Sequence, residues 1–237
     1  MTINISVAGI CFGIEHRYVL PPGLEPFRVE DKPQHIISVT DDELNAERLL
    51  TKRSNGYLEF VCIYRKIAEI LPEHDAFVMH GAAVCRAEDC YLITAPSGTG
   101  KTTHVKLWLE TYPDAWILNG DKPIIRRDGD RFLVCGTPWN GKERFGVPGE
   151  MPLKSVAMLR RGTNNSVGSA VGREMVSFLM KQVYIPKDPF RRIRMLELMN
   201  DCLLSVPTYS LTCNMDPAAA ILAYETMSHA SSQDING

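Results

Sequence analysis

Tyr91 to Thr103 reads YLITAPSGTGKTT, and the reading of this stretch decides the fold. A short apolar run, Tyr91 to Thr94, predicts a strand. It breaks at Ala95 and Pro96, turns through Ser97-Gly98-Thr99-Gly100, and resumes as KTTHVKLWLE with the character of a helix. Strand, glycine-rich loop and helix in that order make an anion cradle. Gly98 and Gly100 let the backbone fold tightly with its N–H groups inward, and the helix start adds unpaired donors and the positive end of its dipole. Ala95 to Thr103 are therefore the expected binding residues for a nucleoside triphosphate, ATP. Lys101 is placed to reach the β- and γ-phosphates, and the Thr102 hydroxyl to take one position on Mg²⁺. The pattern is A-x-x-x-x-G-K-T, with the small Ala95 where the strict P-loop has glycine.

Working outward, YLITA pairs with FVMHGAAVCR across Ala87-Glu88-Asp89 in a predicted hairpin that leads into the loop. WILNG, KPIIRR and RFLVCGTP follow as short strands, with Asp128-Gly129 as the turn between the last two. KSVAMLRR is a further strand ending at Gly162. GREMVSFLMKQVY and DPFRRIRMLELMNDCLLSV read as helices, the second capped by Asp188 with Pro189 at its first position. VPTYSLTC is the last strand, and Asp216-Pro217 opens a final helix.

Toward the N-terminus, INISVAGICFGI, HRYVL and HIISV read as strands, and YLEFVCIYRKIAEIL has the apolar spacing of a helix from about Asn55 to Pro72. The expected organisation is a small β-rich element plus helix over 1–72, a catalytic unit over 73–230 and a frayed tail over 231–237. The fold class is α/β with α+β character: a mixed sheet flanked by helices.

Bulk properties exclude several functions. The chain has 237 residues, 45% of them hydrophobic, 23% charged, and a net charge of -2. A sizeable core is expected, with no electrostatic footprint for nucleic acid or an anionic membrane. The seven cysteines show no C-x-x-C pair and read as reduced core thiols. The N-terminal apolar run is too short for a signal peptide or a membrane span, so the cytosol is the expected location.

The loop sits among consecutive strands, not in regular β-α-β alternation. His80-Gly81 in VMHGAAV, APSGTGKTT, LNGDKP at 118–123 and GTPWNGKE at 136–143 together resemble the HPr kinase/phosphorylase and phosphoenolpyruvate carboxykinase type of P-loop fold. The closing VPTYSLTC and DPAAAILAYE are similar to the last strand and helix of that family's catalytic domains, and the likeness spans about residues 77 to 225. It implies an ATP- and Mg²⁺-dependent kinase acting on a hydroxyl, usually a serine of a protein or peptide, and an oligomeric enzyme. Where that family has two adjacent aspartates, this chain has Gly120 and Asp121, and the phosphorylase signature is absent.

Asp121, some twenty residues beyond the loop, is the expected proton acceptor or metal ligand, with the base role preferred and His80 as its helper. A turn aspartate and a hydrogen-bonded core histidine are the plain alternatives. Trp139, Lys142 and Arg144 lie in GTPWNGKERFG, which reads either as a lid over the site or as a surface loop with a buried tryptophan. The arginines at 126–127, 160–161 and 191–194 read as solvated faces. A nucleotide-binding regulatory module without turnover, and a simple NTPase, are the alternative functions.

Overall fold

In the computed structural model, which describes residues 1–170 and 172–229, Ala8 and Gly9 hold left-handed backbone with φ of 54° and 75°. Two such residues make the hairpin turn whose twist matches paired strands. They join β1 (Thr2–Val7) and β2 (Ile10–Glu15) antiparallel, and β3 (His35–Ser38) adds parallel to β2. The strand expected at HRYVL does not form. The backbone N–H groups of Arg17 and Tyr18 donate to the buried Glu59 carboxylate, so they are spent on a side chain and not on a ladder.

Thr40 starts α1 (Asp41–Leu50), an element not expected from the sequence. Its side chain accepts from the Glu43 N–H while the Glu43 side chain accepts from the Thr40 N–H, a reciprocal cap. Ser54 caps α2 (Asn55–Ile70), which buries Leu58, Cys62, Ile63 and Ile67. These residues share a core with Phe12, Ile14, Leu24 and Ile37 of the N-terminal sheet, and that core continues into Ala76, Val78, Ile124 and Trp139.

The main sheet contains β4 (Ala76–Val78), β5 (Gly81–Arg86), β6 (Asp89–Thr94), β7 (Trp116–Asn119), β8 (Ile124–Asp128), β9 (Arg131–Cys135), β10 (Glu150–Arg161), β11 (Ser166–Ser169) and β12 (Thr208–Cys213). Its order is β4-β8-β9-β10-β6-β5-β7, with β12 against β10 and β11 against β12. β10 runs parallel to β6 and β12, and the remaining pairs are antiparallel. The sheet is mixed, as expected.

Period-two alternation sends the residues of one strand to opposite faces. Tyr91 and Ile93 pack with Trp108 of α3 (Lys101–Thr111) and Ala220 of α6 (Ala218–Ser228). Leu92 packs instead with Met175 of α4 (Arg173–Leu179) and Met195 and Leu198 of α5 (Pro189–Ser205). Helices therefore cover both faces around β6, and the glycine-rich loop lies where β6 ends. Asp188 caps α5 by accepting from the Arg191 N–H.

FVMHGAAVCR is two strands, not one. Met79 N–H donates to Pro123, His80 N–H to Gln182 and Gly81 N–H to Asp121, all to backbone carbonyls. Partners from two segments, the 121–123 turn and Gln182, break the ladder and leave His80 between β4 and β5. All seven cysteines are free and buried. Among the described residues no helix is long and apolar enough to cross a membrane. The tail expected over 231–237 lies outside the described residues.

Candidate active site

The β6–α3 connection has the expected form. Gly98 and Gly100 adopt φ of 80° and 119°, and a Cβ at either would meet only open space. The conformation, and not crowding, therefore selects glycine there. Ala95 is fully buried among Val105, Trp108 and Leu159, so the small residue in the first position is part of the core. Within the loop Thr99 N–H donates to the Pro96 carbonyl, and His104 N–H to Gly100. Among the described residues the N–H groups of Ser97, Gly98, Gly100, Lys101, Thr102 and Thr103 have no acceptor in the protein. Such a run of unpaired donors at a helix start is electropositive. The Thr102 hydroxyl and the half-buried Thr103 add no competing internal bond.

Lys101 folds over this loop. Its amine donates to the Ala95 carbonyl at 2.8 Å, and the side chain is only 7% exposed. Burial pulls its pKa down to about 8, opposed by the negative charge of Asp121 and reinforced by the positive charge of Lys122. The negative charge of Asp121 is thus felt at the Lys101 amine.

Asp121 follows β7 and is held by its surroundings from several sides. Its Oδ1 lies 3.2 Å from His80 Nε2 and 3.3 Å from Lys122 Nζ. Both contacts fall on the same oxygen, leaving Oδ2 for a further group. Burial pushes its pKa up, but the His80 hydrogen bond and the Lys122 charge outweigh it, and the carboxyl sits below the usual value. His80 Nδ1 faces the Gln182 side-chain oxygen at 3.1 Å, so the ring is gripped through both nitrogens.

Three residues that the sequence did not single out complete the arrangement. Asn119, fully buried, accepts from the N–H groups of Asp121 and Lys122 and donates to Thr137. The Thr137 hydroxyl in turn donates to the Lys122 carbonyl at 2.8 Å. Gln182 fixes His80 by its backbone and side chain together. Asn119 was within the LNGDKP motif, where an asparagine two residues before an aspartate is an Asx-turn signal. Gln182 gave no signal, since it lies 102 positions from His80.

Replacing Asn119 by Ala strands two donors at the Asp121 turn. A loss of roughly 2–4 kcal/mol in unfolding free energy is expected from the unsatisfied groups, measured by urea denaturation. A loss below about 0.5 kcal/mol would mean the turn does not depend on this side chain.

The lid expectation is corrected for Trp139. Its ring is 7% exposed, stacks on Phe60 at 5.6 Å between centroids, and donates its Nε1–H to the Phe60 carbonyl. A ring anchored on α2 packs the core and does not close over the site. Its segment is also laced to the end of β7, where Gly120 N–H donates to Phe145 and Val147 N–H to Leu118, and is closed on itself by Gly136 N–H to Gly149. The tip at 141–144 is exposed, carrying Lys142 and Arg144. Glu143 on that tip pairs with Lys106 of α3 at 3.3 Å, bridging tip and helix. Lys142 and Arg144 are not in contact with Asp121 or Lys101.

The other arginines divide. Arg191 and Arg194 bind Glu73 and Asp75, and Arg127 binds Asp201, as intramolecular pairs. Arg161 differs: it donates to the carbonyls of Gly98 and Thr99 in the glycine loop.

The mixed α/β architecture with helices on both faces and a glycine-rich loop at a strand end defines the class. No family model matches the chain, and no curated protein matches it. Among solved structures it is similar to the Hpr(Ser) kinase/phosphatase from Coxiella burnetii, with 9% identity, 68% of this chain and 99% of that chain covered, and a TM-score of 0.37. An overlap this loose carries no residue role from one chain to the other.

Proposed function

We propose that this chain is an ATP- and Mg²⁺-dependent kinase that transfers the γ-phosphoryl group to a hydroxyl, with a serine of a peptide or protein favoured over a small molecule. One observation supports the reading: the glycine loop carries unpaired N–H groups and the Lys101 amine, and that amine feels the charge of an Asp121 carboxylate gripped by His80. Phosphoryl transfer needs neutralised β/γ oxygens and an acceptor oxygen held in line, and these groups match the two needs. The loop N–H groups and Lys101 hold phosphate. Asp121, through the Oδ2 that no neighbour occupies, takes the acceptor proton, and His80 aligns the carboxylate. The segment from residue 73 onward does this work, with 1–72 as its support.

The donor set fits a hard cation. The Thr102 hydroxyl has no partner among the described residues, Asp121 supplies one carboxylate, and Mg²⁺ commonly takes few protein ligands beside phosphate oxygens. Bound there, the metal would supply further neutralisation of the triphosphate. No cluster of three or more His, Cys, Asp or Glu with metal-binding geometry exists among the described residues.

Gly120 favours a second reading, a nucleotide-binding module without turnover. A Cβ at Gly120 would stand 3.1 Å from the Asn140 carbonyl oxygen and 3.2 Å from Phe145 Cβ. The strap over β7 thus takes the room that a second carboxylate would need, and base and metal duties compete for Asp121. Incubating the full chain with γ-labelled ATP, Mg²⁺ and serine-containing peptides separates the readings. Label in the peptide supports the kinase; label only in inorganic phosphate marks an NTPase; bound, unreleased label marks the regulatory module.

A further inference from the structure

A cleft of about 520 Å³ opens beside the glycine loop, lined by Pro96, Ser97, Gly98 and Thr99 on one side and by Leu159, Arg160, Arg161 and Phe178 on the other. Lys101, Asp121 and His80 do not line it. We propose that this cleft seats the nucleoside end of the triphosphate, a flat nucleobase packed on Phe178 and the neighbouring guanidinium groups. The proposal rests on the nucleotide-binding reading above and adds where the base is recognised.

Connectivity gives the first argument. A triphosphate in the loop has a terminal phosphate and a nucleoside end, and the terminal end belongs with Lys101 and Asp121. The nucleoside must leave along another wall of the loop, and the cleft shares Pro96 to Thr99 with the cradle itself.

Chemistry gives the second. Leu159 is buried and Phe178 half-buried, so the floor is apolar and includes one aromatic ring. Arg160 and Arg161 sit exposed at the edge. A base has apolar faces and a polar rim, and stacking on an aromatic ring improves binding by roughly tenfold or more. Arg160 is steadied by its ion pair with Glu174 of α4.

Arg161 gives the third, because it couples cleft to cradle. Its Nε donates to the Thr99 carbonyl at 2.8 Å and its guanidinium NH2 to the Gly98 carbonyl at 2.6 Å. Within one peptide plane the carbonyl and the N–H point in opposite directions. Anchoring the Gly98 and Thr99 carbonyls therefore fixes the directions of the Thr99 and Gly100 N–H groups. Thr99 N–H is spent on Pro96, and Gly100 N–H is left for an anion. The wall of the nucleoside cleft is thus also the brace of the phosphate loop.

The test compares ATP with inorganic tripolyphosphate, both with Mg²⁺, by calorimetric titration of the full chain. Phe178→Leu keeps most of the packing volume and removes the aromatic plane; Arg160→Ala removes an exposed edge group. Each is expected to lower the ratio of ATP affinity to tripolyphosphate affinity, Phe178→Leu by about tenfold, with tripolyphosphate affinity unchanged. An unchanged ratio in both variants overturns the proposal while leaving the phosphate cradle standing. If tripolyphosphate and ATP both fail to bind the wild type, or Lys101→Ala binds both as the wild type does, the cradle fails and the nucleoside seat fails with it.

Discussion

Lys101→Ala is expected to abolish phosphoryl transfer and to weaken ATP binding, with turnover falling by at least about a hundredfold. The amine lies against the glycine loop on the Ala95 carbonyl, so removing it withdraws a positive charge from the phosphate cradle. The pH dependence is the sharper check. Burial lowers the Lys101 pKa from 10.5 to about 8 in the free protein, whereas the bound triphosphate calls for the charged amine. Above pH 8 the free protein must first take up a proton. ATP affinity should therefore fall by about tenfold between pH 7 and pH 9. The stability of the free protein moves the other way. Between pH 8 and 10.5 the unfolded chain holds this proton and the folded one does not, so this group alone adds stability as pH rises through that window. A dissociation constant that stays flat from pH 7 to 9 would remove Lys101 from the phosphate site.

Why these groups could be read from the sequence, and others could not, follows from how far apart the partners lie. The cradle is local: strand, turn glycines, lysine and helix are consecutive, and period and glycine placement suffice. The mixed sheet was legible from the succession of short strands around the loop. What was lost lay in two kinds of place. In the first, side chains competed for backbone groups, as when Glu59 took the N–H groups of Arg17 and Tyr18 and cancelled a strand across 41 and 42 positions. In the second, a visible local signal was passed over: Thr40-Asp41-Asp42-Glu43 is a capping box that marks α1 without any structure.

The candidate site shows the same division. His80 and Asp121 stood out as a histidine beside a glycine and an acidic residue after a strand, but the reason His80 faces Asp121 is the break between β4 and β5. That break needs Pro123, Gln182 and Asp121 at once. Trp139 read as a lid residue in preference to a buried one, and only the position of α2 decides against it. Arg161 read as a solvated charge because its partners, Gly98 and Thr99, offer carbonyls, which no sequence pattern advertises.

Asp121→Asn separates binding from chemistry. The amide keeps the shape of the carboxylate and its turn, whose hydrogen bonds come from the backbone through Asn119, so ATP affinity should stay within about threefold. Transfer should slow by about 10²–10⁴, the usual worth of a positioned general base. The carboxyl titrates below its ordinary value because the His80 hydrogen bond and Lys122 outweigh burial. It is ionised throughout the neutral range, and its stabilising contribution is present above pH 3.8 and is lost as pH falls through the lower folded value. A base this weak does not pull the proton early. Its value lies in orienting the hydroxyl and receiving the proton late, which suits a loose phosphoryl transition state. His80→Ala then has a definite sign: with its first counterweight removed, burial raises the Asp121 pKa, so the acid limb of the transfer rate should move to higher pH while the plateau falls less than in Asp121→Asn. Full transfer activity in Asp121→Asn would show that the proton leaves by another route; an unmoved acid limb in His80→Ala would show that the histidine does no more than pack.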